Sequence, residues 1–576
     1  MRATSGMLSV PRVVRAVATA LLLVGCSEPT ALVQDGAKVG SVVVTPLSGS
    51  VNVGSTMQLT ATVLDTSGQV IAQPSLSWRS SDTLIARISA AGVVRGVVPG
   101  TVTITARSST KEGSAHVVVA QLDTGGTKPD TGAVDFAAIV RGIRPRGYGA
   151  TPYALLSPAS GSRVWYVSPS GNDAATGDAS SPLKTVNRAA QLAKAGDVVT
   201  IRAGTYNEGV SVKNSGTVTQ PIVFQAEQRG TVVLSGGHYT FQSADWSGDQ
   251  QTTGEFYITL RGLIFRRYND PQSTDDAAAA IRASKGWKIE DCLLDEPGRV
   301  GIEIRYDDVV ITRTTIQRAY IDAIGSWTPT SAALGPNDAA YDPLSGLQIT
   351  DVILQENNIT PNPLLGDLAD YGAKLWGTRG ALIDNMESYG NYGPGFWFDT
   401  DNSDYTVRNS YFHDNHPVAG SDNEYGKGLF LEVSWASGLV ERNVFENNGG
   451  AGLAMDNVQG VEVRNNLFVG NAHCATFVNG DRGNNPDGKP RWPLKNIKVH
   501  DNLCRDWTDV GAMATIYGTF GSPSSMGVVV DANVYQPIRN MALADWFNIG
   551  TFSQLSDVRS KLGWEATGRI GTITVP

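Results

Sequence analysis

The sequence has little charge, few cysteines and no long apolar run. Charged residues make up 18% of the 576 residues, and the formal net charge is −9. Because no basic run offsets this acidic balance, the composition argues against a nucleic-acid partner. Three of the 4 cysteines lie in the body of the chain, and they are too widely spaced for a disulfide framework or a metal knuckle. We expect these three to be small buried side chains: Cys292, Cys474 and Cys504.

The apolar run near the N-terminus, residues 17–24, is shorter than the about 20 residues that span a membrane. Arginines precede it, and it ends in Leu-Val-Gly-Cys at Cys26. Residues 1–26 resemble a bacterial lipoprotein signal with its lipobox, which implies cleavage before Cys26 and lipidation of that residue. An ordinary secretory signal is the alternative. The resemblance predicts a protein of the bacterial cell envelope, held to the membrane only by its lipid and exposed to the periplasm or the cell surface.

Glycine is abundant, with 63 residues, and many short apolar segments lie between turns, which indicates an all-β protein. Residues 39–121 alternate as a small β-sandwich does, with Trp78 as the expected core aromatic. The stretch GVVRGVVPGTVTITA at 92–106 resembles the bacterial immunoglobulin-like domain of group two, which implies a spacer or adhesion module. Residues 122–161 begin with a Gly/Thr/Pro/Asp-rich segment and are predicted to be a linker.

From residue 162 to residue 576 the pattern changes. LKTVNRAAQLAKAG predicts a short amphipathic helix, and the strand-like DVVTIRAGTY follows it. This opening resembles the start of right-handed parallel β-helix proteins of the pectate-lyase-like superfamily, in which a helix covers the open end of the coil. A short apolar phrase then recurs, from LRGLIF at residue 260 to VDANVY at residue 530, with a shortest spacing of 22 residues. The sequence therefore predicts a right-handed parallel β-helix of about ten coils after the immunoglobulin-like sandwich.

Asparagines recur at fixed places in the turns of these coils, and we expect them to stack as part of the scaffold. They are Asn385, Asn409 and Asn465 in one column, and Asn391, Asn415, Asn448 and Asn471 in another.

A strip of polar and aromatic side chains is predicted on one outer face of the coils. In the strand GFWFD at 395–399, alternation points Phe396 and Phe398 inward and Trp397 and Asp399 toward solvent. Equivalent strands of successive coils align the candidate catalytic residues, which are Lys374, Asp399, Glu432 and Asp456. The same alignment gives the candidate substrate-binding residues, which are Arg305, Trp376, Trp397, Phe430 and Asn479.

Parallel strands stack about 4.7–4.9 Å apart, so the three carboxylates of the strip would repel one another unless a cation lay between them. Calcium prefers oxygen donors of this kind. Its predicted ligands are Asp399, Asp401, Glu432 and Asp456. A solvated acidic stripe without function is the alternative.

The resemblance to lyases of the pectate-lyase-like superfamily implies a calcium-dependent polysaccharide lyase. Lys374 would be its base, and an extended, acidic, uronate-containing polymer would be its substrate. A glycoside hydrolase that uses the same acids without metal is a second hypothesis. A non-catalytic, glycan-binding or adhesive surface protein is the third. We expect a monomer.

Overall fold

The structure is a computed structural model, and it describes residues 38–120 and 144–573. Within those ranges it leaves out residues 47, 53–55, 73, 82, 84, 98–99, 145, 237–238, 245, 248–249, 252–255, 267–278, 327–342, 359–371, 418–425, 435–436, 484–491 and 539–540. The predicted signal and Cys26 lie outside the described residues. The chain divides into two compact units, residues 1–126 and residues 127–576. In the described residues, no helix is both long enough and apolar enough to cross a membrane.

The first unit is a small sandwich of short strands. A two-stranded sheet pairs Val39–Thr45 with Thr60–Asp65. A four-stranded sheet has the order Ser48–Asn52, Lys111–Ala120, Gly100–Ser108 and Ser77–Ser80. A three-stranded sheet has the order Thr56–Gln58, Val93–Gly96 and Ala86–Ile88. Alternate valines and isoleucines of these strands form the core, and Trp78 packs against its edge as a half-buried side chain.

The second unit is a parallel β-helix whose three long sheets each contain 13 strands. Sheet 1 contains Val164–Val167, Val198–Ile201, Ile222–Ala226, Ile258–Arg261, Lys288–Glu290, Val310–Thr312, Gln348–Thr350, Leu382–Asp384, Thr406–Arg408, Leu439–Glu441, Glu462–Arg464, Lys498–His500 and Val529–Asp531. Sheet 2 contains Gly204–Asn207, Val232–Ser235, Ile264–Arg266, Leu293–Asp295, Thr315–Gln317, Ile353–Gln355, Glu387–Tyr389, Tyr411–His413, Val444–Glu446, Leu467–Val469, Leu503–Arg505, Val534–Gln536 and Arg569–Ile570. Sheet 3 contains Val210–Val212, Phe241–Ser243, Ala279–Ala283, Val300–Ile304, Asp322–Ser326, Ala373–Leu375, Phe396–Phe398, Leu429–Glu432, Leu453–Asp456, Ala475–Asn479, Met513–Gly518, Ala544–Trp546 and Gly550–Phe552.

The remaining elements are short. Two small ladders pair Trp246–Ser247 with Gln250–Gln251 and Leu344–Ser345 with Thr378–Arg379. The helix Val186–Leu192 is capped by Thr185 and buries one apolar face against the first coil, as the sequence predicts. Single turns follow near the C-terminus: the 3-10 turn Ser524–Met526, the α-turn Leu555–Asp557 and the π-turn Val558–Leu562.

The predicted parallel β-helix is confirmed, but it has more coils than the repeat indicates. The recurring phrase corresponds to the ten strands of sheet 1 from Ile258–Arg261 to Val529–Asp531. Three further strands precede them, of which the first is Val164–Val167. The second and third of these strands, Val198–Ile201 and Ile222–Ala226, are buried on both faces and are not followed by the polar turn of the phrase, so the repeat does not reveal them.

An asparagine ladder runs through the interior of the turn between sheets 2 and 3. Each side-chain amide donates to the side-chain oxygen of the next, at 2.9 Å, along five residues. These residues are Asn357, Asn391, Asn415, Asn448 and Asn471. The same amides also donate to backbone carbonyls inside the coil, such as that of Phe412 for Asn448. The predicted stacking of this column is therefore confirmed. In the other column, Asn385, Asn409 and Asn465 adopt the left-handed backbone with φ of 52–56°.

Cys474 and Cys504 form a disulfide inside the coil, with Cα atoms 6.0 Å apart. The expectation of separate buried thiols is wrong for this pair. The two residues are 30 positions apart and lie on neighbouring coils, where Cys504 is in register with Phe468 of the coil that contains Cys474, so stacking of the coils brings them together. Cys292 is a free, buried cysteine, as expected.

Part of the range predicted to be a linker lies along the β-helix. Tyr148 and Leu156 donate through their backbone N–H groups to Thr315 and Gln225, both at 2.9 Å. The hydroxyl of Tyr153 donates to the carbonyl of Ala226 at 2.7 Å. Residues 146–156 therefore form a strap that bonds to successive coils of the second unit.

Candidate functional site

The register of sheet 3 brings the three predicted acids onto neighbouring coils. Phe398 pairs with Leu431, so Asp399 lies beside Glu432, and Glu432 pairs directly with Asp456. Alternation along these strands keeps Phe396 and Phe398 fully buried in the coil interior, as predicted. We use the name acid strip for Asp399, Glu432 and Asp456. Its carboxylates project from the outer face of sheet 3, yet all three side chains are largely buried.

Asp399 is surrounded by hydrogen-bond donors. The Nζ of Lys374, one coil earlier, lies 2.8 Å from Asp399 Oδ2, and the indole N–H of Trp376 donates to the same oxygen. The other oxygen accepts from the backbone N–H of Thr400 at 2.6 Å and from its hydroxyl at 2.8 Å. Burial alone would raise the pKa of Asp399, but Lys374 and these donors bring it below its ordinary value of 3.8. Asp399 is therefore ionised at neutral pH.

Glu432 has the opposite electrostatic environment. Burial, together with the neighbouring charges of Asp399 and Asp456, raises the pKa of Glu432 from 4.5 to about 7. Arg482 donates to Glu432 and also lies 2.6 Å from Asp456 Oδ2, and it opposes this rise only in part. Glu432 can therefore carry a proton near neutral pH beside a carboxylate that does not.

Asp456 retains an acceptor atom with no assigned partner. Its Oδ2 accepts from Arg482 and, at 3.4 Å, from the hydroxyl of Tyr517. Its Oδ1 is buried and has no hydrogen-bond partner among the residues that the structure describes. Burial raises the pKa of Asp456, against the influence of Arg482. A buried acceptor of this kind favours a ligand that brings a donor group.

Arg482 is the residue that sequence reasoning missed. It follows the strand Ala475–Asn479, at the start of an insertion, and its guanidinium bridges two acids of the strip. Because it belongs to no strand, the alternation that located the acids could not locate it. The available signal was the charge imbalance of the strip, which requires a second cation in addition to Lys374.

The two central aromatics are buried, which corrects the prediction that they face solvent. The rings of Trp397 and Phe430 stack with centroids 5.0 Å apart, and only 7% and 5% of these residues is exposed. The ammonium of Lys374 lies 3.8 Å from the Trp397 centroid, and that of Lys427 lies 3.7 Å from the Phe430 centroid. Ring–ring and cation–ring packing therefore uses surfaces that were expected to stack on a sugar. Trp376 is partly exposed beside Asp399.

Two predicted substrate-binding residues lie outside the acid strip. Arg305 follows a strand of sheet 3 that precedes the strand of Asp399 by three coils, and its Nε lies 2.5 Å from Glu303. Asn479 lies one residue beyond the predicted column, because Asp456 pairs with Val478. The side chain of Asn479 instead donates to the carbonyl of Thr519 and accepts from the N–H of Leu494.

The arrangement of these acids does not fit the predicted calcium site. Oxygen atoms of the strip already accept from Lys374, Trp376 and Arg482, so a calcium ion on these acids would have to displace those donors. Asp401 has a left-handed backbone with φ of 64°, and its N–H donates to the carbonyl of Val433. Across the described part of the chain, no group of three or more His, Cys, Asp or Glu residues is disposed to hold a metal ion.

Family models match both units. The model of the bacterial Ig-like domain (group 2) matches residues 38–119. The model of the Pel9A-like, right handed beta helix region matches residues 165–321, and that of the right handed beta helix region matches residues 277–468.

Similarity to whole proteins is more limited. The chain is 45% identical over 71 residues to the uncharacterized protein YwoF of Bacillus subtilis, covering 12% of this chain and 15% of that protein. It is 34% identical over 95 residues to pectate lyase PEL9 of Emericella nidulans, covering 16% of this chain and 23% of that protein. The chain thus spans less than a quarter of either relative.

A solved structure, the GH136 lacto-N-biosidase of Eubacterium ramulus, aligns with a TM-score of 0.43 at 13% identity, over 71% of this chain and 68% of that one. The family models thus identify in this chain a bacterial Ig-like domain (group 2) followed by right-handed β-helix regions, the first of them Pel9A-like.

Proposed function

We propose that the acid strip belongs to a carbohydrate-active enzyme that hydrolyses glycosidic bonds. The observation that carries this proposal is the position of Asp399 and Glu432 on adjacent coils, both largely buried, with Lys374 paired to Asp399. Glycoside hydrolases need one carboxylate and one carboxylic acid on either side of the scissile bond. Environments that move the pKa values of two acids apart assign these two roles.

The roles follow from the charges. The Glu432 carboxyl gives its proton to the glycosidic oxygen as the bond from that oxygen to the anomeric carbon breaks. The ionised Asp399 forms a bond to the anomeric carbon. Water then attacks this carbon, gives a proton to the Glu432 carboxylate and releases Asp399. Adjacent coils lie about 4.7–4.9 Å apart, close to the about 5–5.5 Å carboxyl separation of retaining enzymes. We therefore expect retention of anomeric configuration.

The other charged groups support these two acids. Lys374 keeps Asp399 ionised, and Trp376 orients it through the indole N–H. Arg482 allows Glu432 and Asp456 to lie side by side. No step of this chemistry uses a metal, so we expect chelator to leave the activity unchanged.

A lyase is the second candidate, because a Pel9A-like region and the short similarity to pectate lyase PEL9 lie on this chain. It would use Lys374 as the base that removes a proton beside a uronate carboxylate. The contact of Lys374 with Asp399 favours the hydrolase, because a base needs a free lone pair and this nitrogen is engaged with a carboxylate.

The test is incubation of the purified chain with a panel of neutral and uronate-containing glycans, with and without a chelator. Reducing ends without unsaturated sugars, in both conditions, support the hydrolase. Unsaturated ends that absorb ultraviolet light identify a lyase. If these ends form only without the chelator, the lyase depends on calcium. Glu432→Gln should abolish hydrolysis, whereas Glu227→Gln, on an exposed residue of an early coil, should not. If the chain binds glycans but cleaves none of them, both the hydrolase and the lyase proposals are wrong.

A further inference from the structure

The charges of the acid strip compensate one another almost completely. Lys374 is paired with Asp399 at 2.8 Å. Arg482 bridges the remaining two acids, Glu432 and Asp456. The side chains of Lys374 and Asp456 are only 10% and 4% exposed, so these pairs lie in an environment with little solvent screening.

The neighbouring cations on the same face are engaged as well. Arg305 and Arg282 both bond to the carboxylate of Glu303, at 2.5 Å and 2.7 Å. Lys427 is 6% exposed, with its ammonium against the ring of Phe430. Each of these cations is therefore already in contact with a carboxylate or an aromatic ring of the protein.

One acceptor atom of the acid strip calls for a hydrogen-bond donor rather than for a negative charge. Asp456 Oδ1 is buried and has no hydrogen-bond partner among the described residues. It can accept from a sugar hydroxyl or from the N–H of an acetamido group. A uronate carboxylate brings no donor and would be repelled by this oxygen, and the ionised Asp399 lies two coils away, beyond Glu432.

We propose that the substrate of this site is a neutral glycan, cleaved at a sugar that carries hydroxyl or acetamido groups and no carboxylate. This inference rests on the proposed hydrolase and names its substrate class. It replaces the acidic polymer that the resemblance to lyases implies.

The test uses matched substrates that differ only in charge. One set consists of aryl glucosides and galactosides in both anomeric forms, each beside the corresponding uronide, with aryl xylosides as a further neutral sugar. The other set consists of polyuronates beside the same polymers after chemical reduction of their carboxylates, which preserves every linkage. We expect cleavage of neutral members with kcat/KM at least about 100-fold above that of the uronides, because a like-charge contact costs several kcal/mol.

The outcomes separate the inference from the function on which it rests. If uronides are cleaved as fast as, or faster than, their neutral counterparts, and Glu432→Gln abolishes this cleavage, the neutral substrate class is overturned. The proposed hydrolase is then unaffected. No cleavage of any member of either set would overturn the hydrolase and the inference together. Cleavage confined to neutral members, and lost in Glu432→Gln, would support both.

Discussion

Two stacks of polar side chains on the same β-helix, the asparagine ladder and the acid strip, have opposite physical consequences. Each places polar groups of one kind on successive coils, and each is buried. In the asparagine ladder every amide both donates and accepts, so one residue satisfies the next at 2.9 Å. In the acid strip each carboxylate only accepts, so stacking gives repulsion that Lys374 and Arg482 have to offset.

The difference separates scaffold from site. The asparagine ladder stabilises the fold, because its side-chain donors and acceptors bond to one another and to the backbone. These groups are therefore not available to a substrate. A stack of like charges keeps one acid protonated beside another that is ionised, and it leaves Asp456 Oδ1 without an assigned partner. Groups perturbed in this way are concentrated at functional sites.

The largest effect is expected at the acid strip, in activity rather than stability. Glu432→Gln removes the proton donor, and we expect kcat/KM on the preferred glycan to fall by about 10²–10⁴-fold. Thermal unfolding should occur at the same temperature or higher, because the substitution removes a buried group that its neighbours repel. Kinetics and calorimetry on the same preparation measure both. A marked fall in the unfolding temperature of Glu432→Gln would show that Glu432 stabilises the scaffold. The acid strip and the asparagine ladder would then not differ in this respect.

The asparagine ladder should show the reverse behaviour. Asn448→Ala removes an amide that accepts from Asn415 and donates to Asn471 and to the carbonyl of Phe412. Several buried groups lose their partner, each at about 1–3 kcal/mol, so we expect the free energy of unfolding to fall by about 3 kcal/mol or more. Denaturant unfolding measures this change.

Asn207→Ala, on an exposed residue of an early coil, is the control and should change the free energy of unfolding by less than about 0.5 kcal/mol. Folded Asn448→Ala protein should keep kcat. A stable variant with impaired kcat would show instead that the asparagine ladder takes part in catalysis.

The two stacks also show which features of the structure can be predicted from the sequence alone. Alternation within each strand is local, so it places Phe396 and Phe398 in the core and brings Asp399 next to Glu432. Register between strands depends on contacts between coils. Leu453 pairs with Ala475, so Asp456 pairs with Val478, and Asn479 falls one residue outside the column predicted for it.

Residues that depend on insertions or on packing between coils are the ones that the sequence did not locate. Arg482 belongs to an insertion and reaches back to two strands. The burial of Trp397 depends on Phe430 and on a lysine ammonium, which no periodicity encodes. The disulfide of Cys474 depends on the stacking of adjacent coils with a long insertion between them. Periodicity thus predicts the scaffold well, and it predicts the site only where the site follows the strands.

The pH dependence should distinguish the two stacks, because only one of them titrates. Glu432 holds its proton up to about pH 7, so log kcat/KM should fall by about one unit for each pH unit above that value. Asp399 has a lowered pKa, so the acidic limb should lie below its ordinary value of 3.8. A pH–rate profile measures both limbs, and an alkaline limb well above pH 7 would mean that another group is the acid.

The free energy of unfolding should also depend on the protonation of Glu432. Between pH 4.5 and about 7 the unfolded chain releases the proton of Glu432 while the folded chain keeps it. The folded state therefore binds more protons, and this group's contribution to stability falls as pH rises through that range. The difference in unfolding free energy between the natural chain and Glu432→Gln should change across this range and be constant outside it. The same comparison for Asn448→Ala should be independent of pH.

The smallest effect is expected from Tyr517, whose hydroxyl lies 3.4 Å from Asp456 Oδ2 in the acid strip. Burial raises the pKa of Asp456, and Arg482 and then Tyr517 oppose that rise. Tyr517→Phe removes one hydrogen bond worth about 0.5–1.5 kcal/mol and keeps the ring, so kcat/KM should change by less than about 10-fold. Tyr166→Phe, on the first strand of sheet 1, is the matched control. A loss as large as that of Glu432→Gln would place the Tyr517 hydroxyl among the proton-transfer groups, and the site would then extend two coils further toward the C-terminus than its carboxylates do.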